Sequence, residues 1–164
     1  MGTEGFYSDK EKYGEWRKDK CYCEKGDKVC YDDDIIKTIT WKSTKLFNNH
    51  MRRLSTAGRI FTLGISEIWI KGQSLTHDFI EVALKCSKCN WYKFVTFDYG
   101  YGGKHWKIGY YRKTLSVNKV RENYDKTFLY VLNKLEDLPG FEGKDYSLTN
   151  NNCKTFAKSF WEVL

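Results

Sequence analysis

The C-terminal stretch reads Asn150-Asn151-Asn152-Cys153-Lys154-Thr155-Phe156-Ala157-Lys158-Ser159-Phe160-Trp161-Glu162-Val163-Leu164. Its apolar residues recur at intervals of three and four, the spacing that places side chains on one face of an α-helix. These residues are Cys153, Phe156, Ala157, Phe160, Trp161 and Leu164. The pattern predicts an amphipathic helix that packs this face against the core, with the cysteine in its first turn.

The residues next to Cys153 favour a reactive thiol. Asparagines just before it are good N-caps, because their side-chain oxygens accept the backbone N–H groups that open a helix. The same N–H groups favour negative charge, so they stabilise a thiolate or an oxyanion placed near them. We expect Cys153 to be a nucleophile, with Asn152 and Lys154 at the cap and oxyanion site. The alternative is that Cys153 is a small buried side chain.

A base for this nucleophile is expected in the middle of the chain. Two stretches there alternate between polar and apolar residues and predict strands joined by a turn at residues 86–90; they are residues 76–84 and 91–99. A hairpin closing at this turn pairs His77 with Asp98 or Tyr99, depending on its register. A carboxylate beside an imidazole fixes its tautomer and raises its basicity. We therefore take His77 as the base and Asp98 as the residue that orients it.

Other residues remain candidates for these two roles. Thr96 and Tyr99 are the alternatives to Asp98, because they lie on the same predicted strand. His105 is the alternative base, although it adjoins a glycine-rich turn and His77 begins a strand with a clear alternating pattern.

The order of these parts resembles the circularly permuted branch of the NlpC/P60 papain-like superfamily, in which the histidine strand precedes the cysteine helix. Residues 146–156 are similar to the Y-x-L-x-x-x-N-C-x-x-F signature of the PPPDE, or DeSI-type, isopeptidases. The lecithin:retinol acyltransferase-like group carries a similar N-C-x-x-F element. Residues 76–80 resemble the histidine strand of the family, and residues 97–103 resemble its aromatic and glycine-rich segment. The resemblance covers residues 75–164.

The resemblance implies an α+β, permuted papain-like fold, with an antiparallel sheet packed against helices and the nucleophile at the N-terminus of the C-terminal helix. It implies a cysteine hydrolase that cleaves a peptide, isopeptide or related acyl bond. A lipid acyltransferase or phospholipase on the same scaffold is the alternative. The chain departs from many acyltransferase-like members because it lacks their second histidine and carries a C-x-x-C turn.

The rest of the chain predicts a single domain over residues 34–164, preceded by a polar, cysteine-containing extension at residues 1–33. Further predicted elements are a strand near residues 35–41, a helix over 44–57, strands at 59–63 and 67–70, a strand over 104–111, and a helix from Ser116 as N-cap to about Asp137.

Six cysteines in a chain that starts without an apolar signal segment favour thiols or metal ligands over disulfides. Cys86 and Cys89 form a C-x-x-C pair at the predicted hairpin turn, a spacing that lets two thiolates meet on one zinc ion. Two further ligands would have to come from Cys21, Cys23 or Cys30. The expected chemistry requires no cofactor, so a zinc ion here would be structural. A zinc-stapled module that binds a partner without catalysis is the third functional alternative.

The net charge of +7 comes from basic residues scattered among acidic ones. Nucleic acid binding usually leaves a basic stripe, so we do not expect a nucleic acid partner. A protein or peptide substrate is expected, with lipid as the alternative. No apolar window approaches the length of a membrane span. The expected location is the cytoplasm, or the host cytosol for a protein of a pathogen or virus.

Overall fold

The computed structural model describes residues 32–45, 76–90, 92–100, 102–111, 114–147 and 150–164, together with the backbone of Trp16–Arg17. These residues form an α+β fold, as the sequence predicts. The strands are β1 (Trp16–Arg17), β2 (Ile35–Lys45), β3 (Thr76–Lys85), β4 (Tyr92–Gly100), β5 (Gly103–Ile108), β6 (Tyr110–Tyr111) and β7 (Ser116–Thr127). The helices are α1 (Phe128–Glu136), a 3₁₀ turn (Gly143–Asp145) and α2 (Cys153–Val163).

The main sheet of the described chain has five antiparallel strands in the order β5-β4-β3-β2-β7, and β1 pairs with β6 separately. The predicted hairpin between β3 and β4 is confirmed, with its turn at residues 86–90. Its register pairs Ile80 with Phe97. The pairing ends there, three residues short of His77, so His77 has no partner on β4 in this ladder; continued along the strands, the register would bring His77 level with Gly100. Asp98 is instead a diagonal neighbour of His77 on the same face of the sheet.

Helices α1 and α2 cover one face of the sheet, and the hydrophobic core lies between the sheet and these helices. The sheet contributes Ile36, Ile39, Ile80, Val82, Leu84, Val95, Phe97 and Tyr99 to this core. The helices contribute Phe128, Val131, Leu135, Phe156, Ala157, Phe160 and Trp161. The terminal helix is therefore confirmed, and its apolar face packs as the spacing predicts. None of the helices in the described chain is long and apolar enough to cross a membrane.

The C-terminal end of α2 is fixed against β7. The Tyr124 hydroxyl donates to the Leu164 carbonyl at 2.7 Å, and the Arg121 guanidinium lies 5.0 Å from the ring centroid of Trp161. Burial raises the pKa of Tyr124 to about 12, with a further rise from Tyr130, so its hydroxyl remains a donor at any physiological pH. These contacts set the position of α2, and hence of the cysteine at its other end.

The helix predicted from Ser116 to about Asp137 is wrong in its first half, since residues 116–127 form strand β7. Its register with β2 shifts at two places, and Asn123 and Asp125 have positive φ angles of 52°. Extra residues at these irregularities break the two-residue alternation that would have identified a strand. β7 is also an edge strand with Val120 51% exposed, so burial does not enforce a regular apolar pattern.

Other predictions are corrected at their boundaries. Residues 44–45, predicted to start a helix, belong to β2. The predicted strand over 104–111 is interrupted at Gly109, whose φ is 127°, so β5 and β6 join different sheets. Residues 46–57, the strands predicted at 59–63 and 67–70, and nearly all of the extension at residues 1–33 lie outside the described residues.

Candidate active site

The candidate site lies where β3 and β4 separate. Their pairing begins at Ile80 and Phe97, so the first residues of β3 leave the edge that faces β4. The Cys153 sulfur occupies this position. The backbone N–H of Asp78 points at the sulfur from 3.5 Å, and the Thr76 carbonyl lies 3.7 Å away. The sulfur therefore lies between a backbone donor and a backbone acceptor, with the thiol placed to donate to the Thr76 carbonyl.

The first turn of α2 is fixed by a capping box. The Asn152 side-chain oxygen accepts the backbone N–H groups of Lys154 at 3.0 Å and Thr155 at 3.2 Å, and the Thr155 hydroxyl accepts the Asn152 N–H at 2.8 Å. The predicted cap at Asn152 is therefore confirmed. The Lys154 side chain is exposed, and its N–H is already bonded to the cap. Among the described residues nothing accepts the Cys153 N–H, so this group can bind an oxyanion.

His77 connects the thiol to a carboxylate. Its Nε2 donates to Asp98 Oδ2 at 2.9 Å, and its imidazole interacts electrostatically with Cys153. Burial alone would lower the pKa of His77, but the hydrogen bond to Asp98 and the interactions with Cys153 and with the Asp98 charge raise that pKa to about 9. His77 and Cys153 are 7% and 5% exposed, so these interactions act with little screening by water. The structure thus brings Cys153, His77 and Asp98 together.

Three side chains contact the Asp98 carboxylate, two of them as hydrogen-bond donors. Oδ2 accepts from His77 and from the Tyr111 hydroxyl at 3.1 Å, and Oδ1 is in contact with His105 Nε2. Asp98 is 2% exposed, so these donors replace the water that a carboxylate would otherwise bind. A carboxylate held from both sides can keep a neighbouring imidazole in one orientation.

The alternatives to Asp98 and to His77 form hydrogen bonds with groups other than the Cys153 sulfur. The Thr96 hydroxyl donates to the Gly109 carbonyl at 2.9 Å. Tyr99 lies on the core face, where its hydroxyl donates to the Glu142 carbonyl at 3.0 Å. His105 lies across Asp98 from His77, with its Nδ1 donating to the Gly103 carbonyl at 3.1 Å. None of these hydrogen bonds connects Thr96, Tyr99 or His105 to the Cys153 sulfur.

A second network holds the start of β3 from the opposite face. The Asp78 carboxylate accepts from Trp41 Nε1 at 3.0 Å and from the Ser43 hydroxyl at 2.8 Å. Ser43 in turn accepts from the Asn118 side-chain amide at 2.8 Å. The Asp78 side chain is 3% exposed. This network fixes the backbone of Asp78, which carries the N–H directed at Cys153.

The C-x-x-C pair lies at the far end of the β3–β4 hairpin. Cys86 is buried and Cys89 packs against it. The turn is held by Asp34, which accepts the Ser87 N–H at 3.0 Å and forms a buried ion pair with Lys93 at 2.6 Å. Among the described residues no three His, Cys, Asp or Glu side chains converge as a metal site. Cys21 and Cys23 lie outside those residues, so the zinc site stays a prediction.

Sequence reasoning missed Tyr111 and the backbone groups of Thr76 and Asp78. Tyr111 follows His105 by six residues, an even spacing that would keep both side chains on one face of a continuous strand. That signal was available, but the strand breaks at Gly109 and Tyr111 reaches Asp98 from β6. The backbone groups carry no signal in the sequence, because they depend on where the pairing of β3 with β4 ends.

Comparison with known proteins adds no relative to this picture. No family model matches the chain, and no curated protein or solved structure matches it significantly. The functional argument therefore depends on the geometry of the site.

Proposed function

We propose that this chain is a cysteine hydrolase that cleaves a peptide, isopeptide or related acyl bond. The observation that carries the proposal is the imidazole of His77, which is hydrogen bonded to the Asp98 carboxylate and interacts electrostatically with Cys153, whose sulfur accepts the backbone N–H of the adjacent Asp78. A nucleophile, a base and an orienting group in that order are the parts needed for acyl transfer at a thiol. We further propose a permuted papain-like fold, since the histidine strand β3 precedes the cysteine helix α2.

In the proposed reaction His77 takes the proton of the Cys153 thiol, which gives a thiolate and an imidazolium ion. The thiolate attacks the substrate carbonyl carbon, and the Cys153 N–H at the start of α2 binds the oxyanion. The carbon–nitrogen bond breaks as His77 donates its proton to the leaving amine, which leaves a thioester on Cys153. Water then attacks the thioester carbonyl while His77 accepts a proton from that water. The carbon–sulfur bond breaks, the carboxylic acid product leaves, and His77 returns the proton to the Cys153 sulfur.

The site also supports proposals about where and on what the protein acts. A reduced thiol is required, so we propose action in the cytosol, where disulfides rarely persist. A protein or peptide substrate is proposed because the chemistry fits an amide carbonyl. If an alcohol or amine acceptor replaces water in the second step, the same acyl-enzyme makes the protein an acyltransferase, and the products of the reaction distinguish the two outcomes.

The first experiment measures alkylation of Cys153 by iodoacetamide as a function of pH, with peptide mapping to separate it from the other cysteines. We expect rapid labelling at neutral pH in the wild type, and labelling slower by about tenfold or more in His77→Gln. Cys86→Ser and Cys89→Ser are the matched controls and should leave the Cys153 rate unchanged. Slow labelling with the same pH profile in wild type and His77→Gln would overturn the proposal and favour a binding module.

A second experiment detects the acyl-enzyme directly. Incubation with p-nitrophenyl acetate should add one acetyl group to Cys153, detected by mass spectrometry of the digested protein. Cys153→Ala should show no adduct at this position and His77→Gln a much slower one. Acetylation distributed over several cysteines and independent of His77 would count against an activated nucleophile. Hydrolysis of isopeptide-linked lysine peptides would then establish the substrate class.

A further inference from the structure

His105 is the buried histidine that the proposed reaction does not use. It lies directly opposite Asp98 in the pairing of β4 with β5, and its Nε2 contacts Asp98 Oδ1. Only the other oxygen of the same carboxylate reaches His77. His105 is 5% exposed, so its contact with Asp98 is shielded from water.

The ring of His105 is fixed by the hairpin that carries it. Its Nδ1 donates to the Gly103 carbonyl at 3.1 Å, two residues earlier in the chain. Gly103 has a φ of +91°, and a Cβ there would lie 3.2 Å from the Gly143 nitrogen. Glycine is therefore needed at this position. With Nδ1 held by the hairpin, Nε2 is directed at Asp98.

An aspartate has two interchangeable oxygens and a broad torsion about its last bond, so one contact leaves its plane poorly defined. His77 is a diagonal neighbour of Asp98 and reaches only one oxygen. Tyr111 binds that same oxygen, so it does not fix the opposite end of the carboxylate. His105 contacts the opposite end, at Oδ1. Within the part of the chain that the structure describes, the charged or titratable groups at this cluster are Asp98 on β4, His77 on β3, His105 on β5, Tyr111 on β6 and Cys153 on α2.

We infer that His105 is a positioning residue, which holds the Asp98 carboxylate in the orientation that binds and stabilises the His77 imidazole. The inference rests on the proposed function, in which His77 acts on Cys153. In this inference His105 does not replace His77 as the base, the role for which the sequence made it the alternative. His105 acts through Asp98 and does not touch the thiol.

Two substitutions separate the contacts of His105. In His105→Gln the side-chain amide nitrogen can occupy the place of Nε2, so the contact with Asp98 is kept and the contact with Gly103 is lost. In His105→Asn the amide nitrogen can occupy the place of Nδ1, so the contact with Gly103 is kept and the contact with Asp98 is lost. Both variants are polar and smaller than histidine, so general loss of packing affects both.

The experiment follows the titration of the His77 imidazole by NMR in the wild type and the two variants. The chain has three histidines, and His50→Gln and His77→Gln assign their signals. We expect His105→Gln to titrate close to the wild type, near pH 9, and His105→Asn to titrate lower, towards the ordinary value of about 6.5. Circular dichroism confirms that each variant is folded.

Two results would overturn the inference. One is a His77 titration in folded His105→Asn that matches the wild type, and the other is an equal shift in both variants. If His105→Asn does not fold, Tyr111→Phe and His105→Gln are compared instead. An unchanged His77 titration midpoint in Tyr111→Phe, together with a lowered midpoint in His105→Gln, then overturns the inference. Failure of the proposed function gives a different pattern, because Cys153 then alkylates slowly while the His77 titration still responds to His105.

Discussion

The backbone nitrogen of Asp78 lies 3.5 Å from the Cys153 sulfur, at the point where β3 has separated from β4. An edge N–H of a sheet that is not used by a neighbouring strand must find another acceptor. The sulfur of Cys153 is that acceptor. The separation of two strands therefore makes room for the Cys153 sulfur and also provides a backbone donor directed at it.

The side chain of Asp78 is expected to maintain this geometry. In Asp78→Ala the Trp41 and Ser43 donors lose a buried acceptor, which costs about 1–3 kcal/mol for each group left without a partner. We expect a lower free energy of unfolding in urea and slower alkylation of Cys153. Asp78→Asn is the matched control, because its amide can accept from Trp41 and donate to Ser43. Equal stability and equal alkylation rates in the alanine variant and the wild type would contradict the expected role.

The cap of α2 gives a separate prediction. Asn152→Ala removes the acceptor of two backbone N–H groups, and loss of such a cap typically costs about 1 kcal/mol. Because Cys153 is the first helical residue, fraying of this turn should also slow its alkylation. Asn152→Asp and Asn152→Ser retain a capping oxygen and should restore most of the stability. A stability loss in Asn152→Ser as large as that in Asn152→Ala would show that the cap is not the cause.

The terminal helix could be predicted because its apolar spacing, its asparagine cap and its cysteine all indicate the same structure. The contact between His77 and Asp98 was predicted by residue type and hairpin with the register left open, because turn residues 86–90 do not specify the pairing of the strands they join. β7 could not be recognised, because its bulges disrupt the alternating pattern of a strand. The contact of His105 with Asp98 depends on the pairing of β5 with β4, which begins at a glycine hairpin whose sequence is compatible with several registers.

The raised pKa of His77 predicts a pH-dependent stability. The pKa is about 9 in the folded protein and 6.5 in the unfolded chain, so between these values the His77 imidazole is protonated in the folded state and neutral in the unfolded chain. The stabilisation is complete below about pH 6.5 and is lost as the pH rises through 9. The slope is at most about 1.4 kcal/mol per pH unit for one proton.

Urea unfolding of wild type and His77→Gln measures this contribution. The difference in free energy of unfolding between them should be largest near pH 6.5 and should shrink as the pH approaches 9. The same comparison in the Cys153→Ala background removes the ionisation of the thiol, and a smaller effect is expected there because the thiol is one of the groups that raises the pKa. A difference that does not vary with pH would contradict the raised pKa.

The turn that contains Cys86 and Cys89 predicts a zinc site whose other candidate ligands lie outside the described residues. Asn90 has a φ of 59°, and its N–H donates to the Cys86 carbonyl at 3.0 Å, so the five residues 86–90 are closed into a tight turn. Asp34 holds this turn through Ser87. Two cysteines in such a turn can present both thiolates to one tetrahedral zinc ion.

If this turn binds zinc, protein purified with zinc in the medium should contain about one zinc ion per chain. The zinc content is measured by inductively coupled plasma mass spectrometry. Cys86→Ser and Cys89→Ser should each reduce the zinc content to near zero and lower the unfolding temperature. Cys153→Ser is the matched control and should keep the metal, because Cys153 lies in the separate site at the start of α2. Cys21→Ser and Cys23→Ser identify the remaining ligands. Wild-type protein that contains no zinc, or Cys86→Ser protein that retains it, would show that the pair is not a metal site.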